Sequence, residues 1–360
     1  MKKTKFNKIH HALGAKMVDF AGFDMPVQYS SIIEEHKAVR SSVGVFDVSH
    51  MGEFFISGNK ALKLVQKITV NDASVLIPGK VQYSAMCYND GGIVDDLLVY
   101  KISDTEFMFV VNASNIEKDF NWIVENNNFD VDIADRSNDY SLLAVQGPNS
   151  TEVIQKLVDE SLDLGYYNFK QAKLAGIDMI VSRTGYTGET GYELYFAGSE
   201  NDAEEVWNAV MEAGKEFSIK PAGLASRDSL RLEMGFCLYG NDIDKTTNPI
   251  EAGLGWITKV KKGNFIGLDA IKKIKAEGIK RKLVAMIASE RSFPRQGYEI
   301  SANDKIIGNV TSGTVSPVIE KPIALGYVDV DYKNVGTKVN LLIRNKEIPA
   351  EVVKLPFIEK

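Results

Sequence analysis

The chain has 360 residues, 44% hydrophobic and 25% charged, with a formal net charge of −6. That composition fits a folded chain of two or three domains and excludes a disordered one; its acidic balance lacks the basic footprint of a nucleic-acid binder. No apolar run reaches the roughly 18 residues that span a membrane, and no apolar stretch follows the basic start as in a secretory signal, so a cytoplasmic protein is expected.

In chain order, Phe54–Ser57 reads as a strand and Asn59–Lys67 as a short helix. Val81–Tyr88 and Ile93–Lys101 read as strands joined by the turn Asn89-Asp90-Gly91-Gly92. Phe107–Asn112 is another strand, and Ser114-Asn115-Ile116-Glu117 has the form of a capping box opening a helix through Val124. Strands alternating with helices and hairpins predict an α+β fold with split βαβ, ferredoxin-like units. A helix over Leu268–Ala276 accounts for the lysines before residue 282. Beyond it, Lys282–Ala288, Tyr298–Ser301, Lys305–Thr311, Ile323–Val330, Thr337–Ile343 and Ile348–Val353 predict a C-terminal all-β domain of barrel or jelly-roll type.

Four segments carry candidate chemistry. In Ile93–Tyr100, Asp95 and Asp96 interrupt an apolar strand, where Asp is depleted. Alternation puts Asp95 with Leu97 and Val99, and Asp96 with Leu98 and Tyr100. Asp96 is therefore the better pocket residue, although a structural carboxylate near the hairpin fits as well. The glycines of Thr184-Gly185-Tyr186-Thr187-Gly188-Glu189-Thr190-Gly191 suit a tight connection between strands ending near Arg183 and starting near Tyr192, or a backbone that approaches a flat ligand. In Pro221–Glu233, Arg227 sits at a helix entry, and Asp228 and Arg231 have the spacing of a local ion pair. Leu238–Asp244 is a polar turn without the length or closing Glu of an EF-hand. Cys87 and Cys237 form no CxxC and read as reduced bystanders. The four histidines show no metal-ligand spacing, so no metal is expected.

These motifs, with Leu13–Phe23, Val43–Gly52, Gly79–Ser84, Val145–Pro148, Ile307–Gly313 and Ser316-Pro317, closely resemble the aminomethyltransferase family of the glycine cleavage system along nearly the whole chain. The resemblance implies a three-domain cloverleaf. Residues 1–275 would form two interleaved α+β domains, about 1–50 with 140–275 and 51–139, and 276–360 the β-barrel domain. It implies tetrahydrofolate as co-substrate and a lipoyl carrier protein as partner. An aminomethyl group would be taken from the carrier, ammonia released, and 5,10-methylenetetrahydrofolate formed. The family's catalytic Asp falls on Asp96 and its folate-binding positions on Glu193 and Arg227, with Tyr83, Tyr100 and Met51 as further cleft residues. Pro356-Phe357 is followed by only three residues, so the family's contact past that motif is absent or replaced.

Two other readings remain beside it. One is a different folate-dependent methyl or methylene transferase acting on a small donor. The other is a folate-binding scaffold for iron–sulfur assembly, which Asn264 disfavours because it stands where that motif has Cys.

Overall fold

The computed structural model describes residues 1–290, 292–344 and 346–359. The chain divides into two compact units, Met1–Leu64 with Ala73–Gln82 and Leu97–Asp228, and Val65–Asp72 with Tyr83–Asp96 and Ser229–Lys360.

The first unit contains a six-stranded sheet ordered Phe169–Leu174, Ile177–Ser182, Gly191–Ala197, Tyr140–Gln146, Gly44–Asp47 and Lys220–Pro221. Alternation along Gly191–Ala197 sends Tyr192, Leu194 and Phe196 to one face, where they join Val45, Leu143 and Val145 in the core. The helix Glu200–Ala213 covers that core with Ala203, Val206, Trp207 and Val210, the spacing of one helix face. Its start is fixed by a capping box between Ser199 and Asp202. The opposite sheet face carries Glu193 and Tyr195, which pair with Ala144 and Leu142.

A second, five-stranded sheet runs Lys80–Cys87, Ile93–Lys101, Glu106–Val111, Gly52–Ser57 and Asp132–Asp135. The predicted turn between its first two strands is present. Gly91 has φ +90°, and Gly92 lies so close to the Lys245 carbonyl that an added Cβ would come within 2.1 Å of it. The predicted capping box at Ser114 does not form. A 3-10 turn over Ala113–Asn115 leads into the helix Ile116–Glu125, so Asn115 occupies the N-cap and makes no side-chain cap bond.

The second unit ends in the expected barrel, closed in the order Arg281–Ala288, Pro322–Asp329, Lys305–Val315, Glu299–Ala302, Lys338–Ile343 and Lys346–Val353. Val284, Met286, Ile300, Val310, Leu341 and Val352 fill it. Its third strand is longer than predicted because it continues through an irregularity between Val310 and Ser312. A separate core of the same unit joins Val70, Ala85, Cys87 and Ile93 to Cys237, Ile243, Leu254, Phe265 and Ile271. The helix Leu268–Glu277 supplies the last of these, as the sequence indicated.

Candidate functional site

In the first unit the site is built around Glu193. Its strand position aims the side chain away from the Tyr192–Phe196 core, and it is 9% exposed. Thr184 donates to Glu193 Oε2, and Tyr195 Oη donates to the same oxygen at 3.2 Å. Tyr100 lies behind this pair. Its hydroxyl is 2.9 Å from Tyr195 Oη and 3.2 Å from Thr184 Oγ1, and it donates to Ser182 Oγ at 3.1 Å. Tyr100 is fully buried, so it supports the Glu193 network rather than lining an open surface. Burial pushes the Glu193 carboxyl above the usual carboxylate range, while Thr184, the Arg227 guanidinium and Tyr195 pull it back. The two phenols are pushed up by burial and keep their protons.

Arg227 emerges from the first turn of the helix Leu224–Met234 and is half-buried. Its guanidinium stacks over the Tyr186 ring at 4.7 Å, and Nη2 lies 3.9 Å from Met51 Sδ. Met51 follows His50, whose ring packs edge-on against Phe20. Burial and the nearby Arg227 charge pull the His50 pKa down to about 3, so this imidazole is neutral. Glu193, Tyr100, Arg227 and Met51 are thus positioned within one unit.

The glycine-rich segment is a loop between the strands Ile177–Ser182 and Gly191–Ala197. A Cβ on Gly185 or Gly191 would strike the Gln146 side chain, at 2.0 Å and 2.3 Å respectively. Gln146 donates to the Thr184 carbonyl and accepts from Thr187 Oγ1. The loop is folded onto this one amide, which presents Thr184 to Glu193 and Tyr186 to Arg227.

Tyr83 and Asp96 belong to the second unit. Asp96 is half-buried and Asp95 fully buried, so the two neighbours, on opposite strand faces, differ in exposure. Tyr83 Oη donates to Asp96 Oδ2 at 2.9 Å. The Tyr83 ring also lies 6.1 Å from that of Trp256, which is 64% exposed. The Asp-containing turn after Leu238 has a structural task. Asp242 holds the buried Arg231 guanidinium at 2.7 Å and accepts from Ser312, so Arg231 is bound by a partner far outside the predicted i,i+3 spacing. Lys262, two residues before Asn264, donates to the carbonyls of Gln66, Thr69 and Asn71 and serves as a cap.

The sequence flagged the segment of Thr184 and Tyr186 without giving either residue a role, and it did not flag Tyr195 or Trp256. For Tyr195 a signal was present, since it lies two residues beyond Glu193 and therefore on the same strand face. Trp256 sits in a 3-10 turn without periodicity to flag it. Both cysteines are free and buried. Among the described residues, no group of three or more His, Cys, Asp or Glu side chains could hold a metal, and no helix is long and apolar enough to cross a membrane.

An α+β region carrying two carboxylate-centred sites, followed by a closed six-stranded barrel, matches two family models. The GCVT N-terminal domain matches residues 6–262, and the glycine cleavage T-protein C-terminal barrel domain matches residues 281–359. The chain belongs to the glycine cleavage T-protein family, a class of one-carbon transferases. Aminomethyltransferase of Flavobacterium psychrophilum is 55% identical over 100% of both chains, and that of Halothermothrix orenii 52% identical over 99% of this chain and 100% of its own. The solved structure of glycine cleavage system aminomethyltransferase T from Bartonella henselae has 33% identity and a TM-score of 0.93, covering 99% of this chain and 98% of that one. The activity is therefore that of an aminomethyltransferase, with tetrahydrofolate as co-substrate.

Proposed function

We propose that the chain takes the aminomethyl group from the lipoyl arm of the glycine cleavage carrier protein, with Glu193 and Arg227 binding folate and Asp96 serving the transfer. In this reading the carrier sulfur–carbon and carbon–nitrogen bonds break, and N5 and N10 of tetrahydrofolate each lose a hydrogen. The products are the free lipoyl thiol, ammonia and 5,10-methylenetetrahydrofolate. The observation that carries the reading is the Glu193 carboxylate, buried on two hydroxyl donors with Arg227 acting on it. A pterin edge offers adjacent N–H donors that such a carboxylate accepts. Arg227, held by Tyr186 and Met51, suits a pterin carbonyl or a folate carboxylate.

Asp96, oriented by Tyr83, stabilises the iminium-like cation formed as ammonia leaves. Tyr100 keeps Tyr195 and Thr184 in place beneath Glu193. Water must be kept from that cation, which otherwise hydrolyses to formaldehyde. Membership of a glycine cleavage family supports the lipoyl carrier as partner; a cytoplasmic setting is part of the same proposal. The test is to mix the protein with aminomethylated lipoyl carrier and tetrahydrofolate and measure ammonia and methylenetetrahydrofolate. Equal amounts of both are expected; ammonia without folate product refutes the assignment.

A further inference from the structure

Glu53 has none of the roles above, yet it is 1% exposed and its Oε1 meets no hydrogen-bond partner among the described residues. A buried polar atom in that condition is rare in a folded protein. The strand register locates it. Glu53 stands opposite Val110 and Val110 opposite Leu98; in the next row are Phe55, Met108 and Tyr100. Directly opposed residues share a sheet face, so Glu53 lies on the face of Tyr100, whose hydroxyl adjoins the Glu193 network. The row passes from half-buried Leu98 through buried Val110 to Glu53. Met51, two residues earlier, touches Arg227. Burial pushes the Glu53 acid well above the usual range, and the carboxylates of Asp135 and Glu193 push it further. A carboxyl so placed is pushed towards its protonated form, which can donate one hydrogen bond.

We propose that Glu53 is a third folate-binding residue beside Glu193 and Arg227, a carboxylic acid that donates to an acceptor atom on the pterin rim. A pterin carries adjacent N–H donors but also a carbonyl oxygen and ring nitrogens. Two ionised carboxylates can only accept, so they serve one half of that pattern. An ionised Glu193 with a protonated Glu53 serves both. The inference rests on the folate reading above and adds the protonation state of one further side chain.

Calorimetric titration of tetrahydrofolate into wild type, Glu53→Gln, Glu53→Met and Arg227→Ala tests it. Wild-type binding, weakened in Arg227→Ala, tests the folate reading itself; its absence sinks that reading and this inference together. Given wild-type binding, Glu53→Gln keeps a neutral donor and stays within about threefold of wild type. Glu53→Met has similar length but no donor, and binds about tenfold more weakly, the loss of one hydrogen bond. Equal affinity of Glu53→Met and wild type, or equal weakening in both variants, overturns the proposal. Should Glu53→Met not fold, the pH profile decides. Wild-type affinity falls on the alkaline side as Glu53 loses its proton, while that of Glu53→Gln does not; parallel profiles overturn the proposal.

Discussion

Tyr83 and Asp96 are joined by a 2.9 Å hydrogen bond from phenol to carboxylate, while the adjacent Asp95 is fully buried. Neighbours on one strand are thereby divided between a half-exposed position and an interior one. Asp96→Asn keeps the shape and removes the charge. Turnover should fall about 100-fold or more with folate still bound, as for loss of one preorganised electrostatic group. Asp95→Asn should lower the thermal midpoint more than the rate. Steady-state turnover, folate affinity and melting of both variants decide it; collapse of turnover in Asp95→Asn alone reverses the assignment.

Glu193→Ala and Arg227→Ala should each weaken tetrahydrofolate binding by about 1–3 kcal/mol, the cost of a lost hydrogen bond to a charged group. Tyr100→Phe removes a hydroxyl that touches Tyr195 and Thr184 but leaves both donors to Glu193 in place, so its effect on affinity should be smaller. Calorimetry on the three variants measures the order; a Tyr100→Phe loss exceeding the other two contradicts the layered arrangement.

His50 gives a pH dependence of stability. Its folded pKa, about 3, lies below the ordinary value of 6.5. Between those values the unfolded chain binds a proton that the folded chain does not, so this residue's contribution falls as pH drops from 6.5 towards 3. The slope approaches about 1.4 kcal/mol per pH unit for one such group. Urea unfolding of wild type and His50→Gln across that range should show a smaller slope in the variant; identical slopes would exclude His50 as a source.

Arg231 and Asp242 are 1% and 0% exposed in their side chains. Breaking such a pair leaves a buried charge, so Asp242→Ala should cost about 3–5 kcal/mol in unfolding free energy. A denaturant midpoint within error of wild type would show that Ser312 and the Phe236 carbonyl, which also bind the guanidinium, suffice.

Local periodicity made the barrel strands, the Asp95–Asp96 division and the helix Leu268–Glu277 readable, because each depends on alternation or helical spacing within one segment. The partners that complete the site were not readable. Gln146 packs its amide against Gly185 and Gly191 from about forty residues away, and Asp242 captures Arg231 across a turn. Such pairings are set by tertiary packing, and no spacing rule reports them. The roles of Asp96, Glu193 and Arg227 came from resemblance to a family, since carboxylates and guanidinium alone name no reaction.

The barrel's first strand, Arg281–Ala288, is paired on one side by the chain's last strand, Lys346–Val353. During synthesis that partner emerges from the ribosome well after the strand it pairs with. Until it does, the first strand has an open edge of unpaired amides and carbonyls, a template for adventitious pairing with other nascent chains. Closure is a long-range event, so the interval before the later strand emerges is when this edge is most exposed.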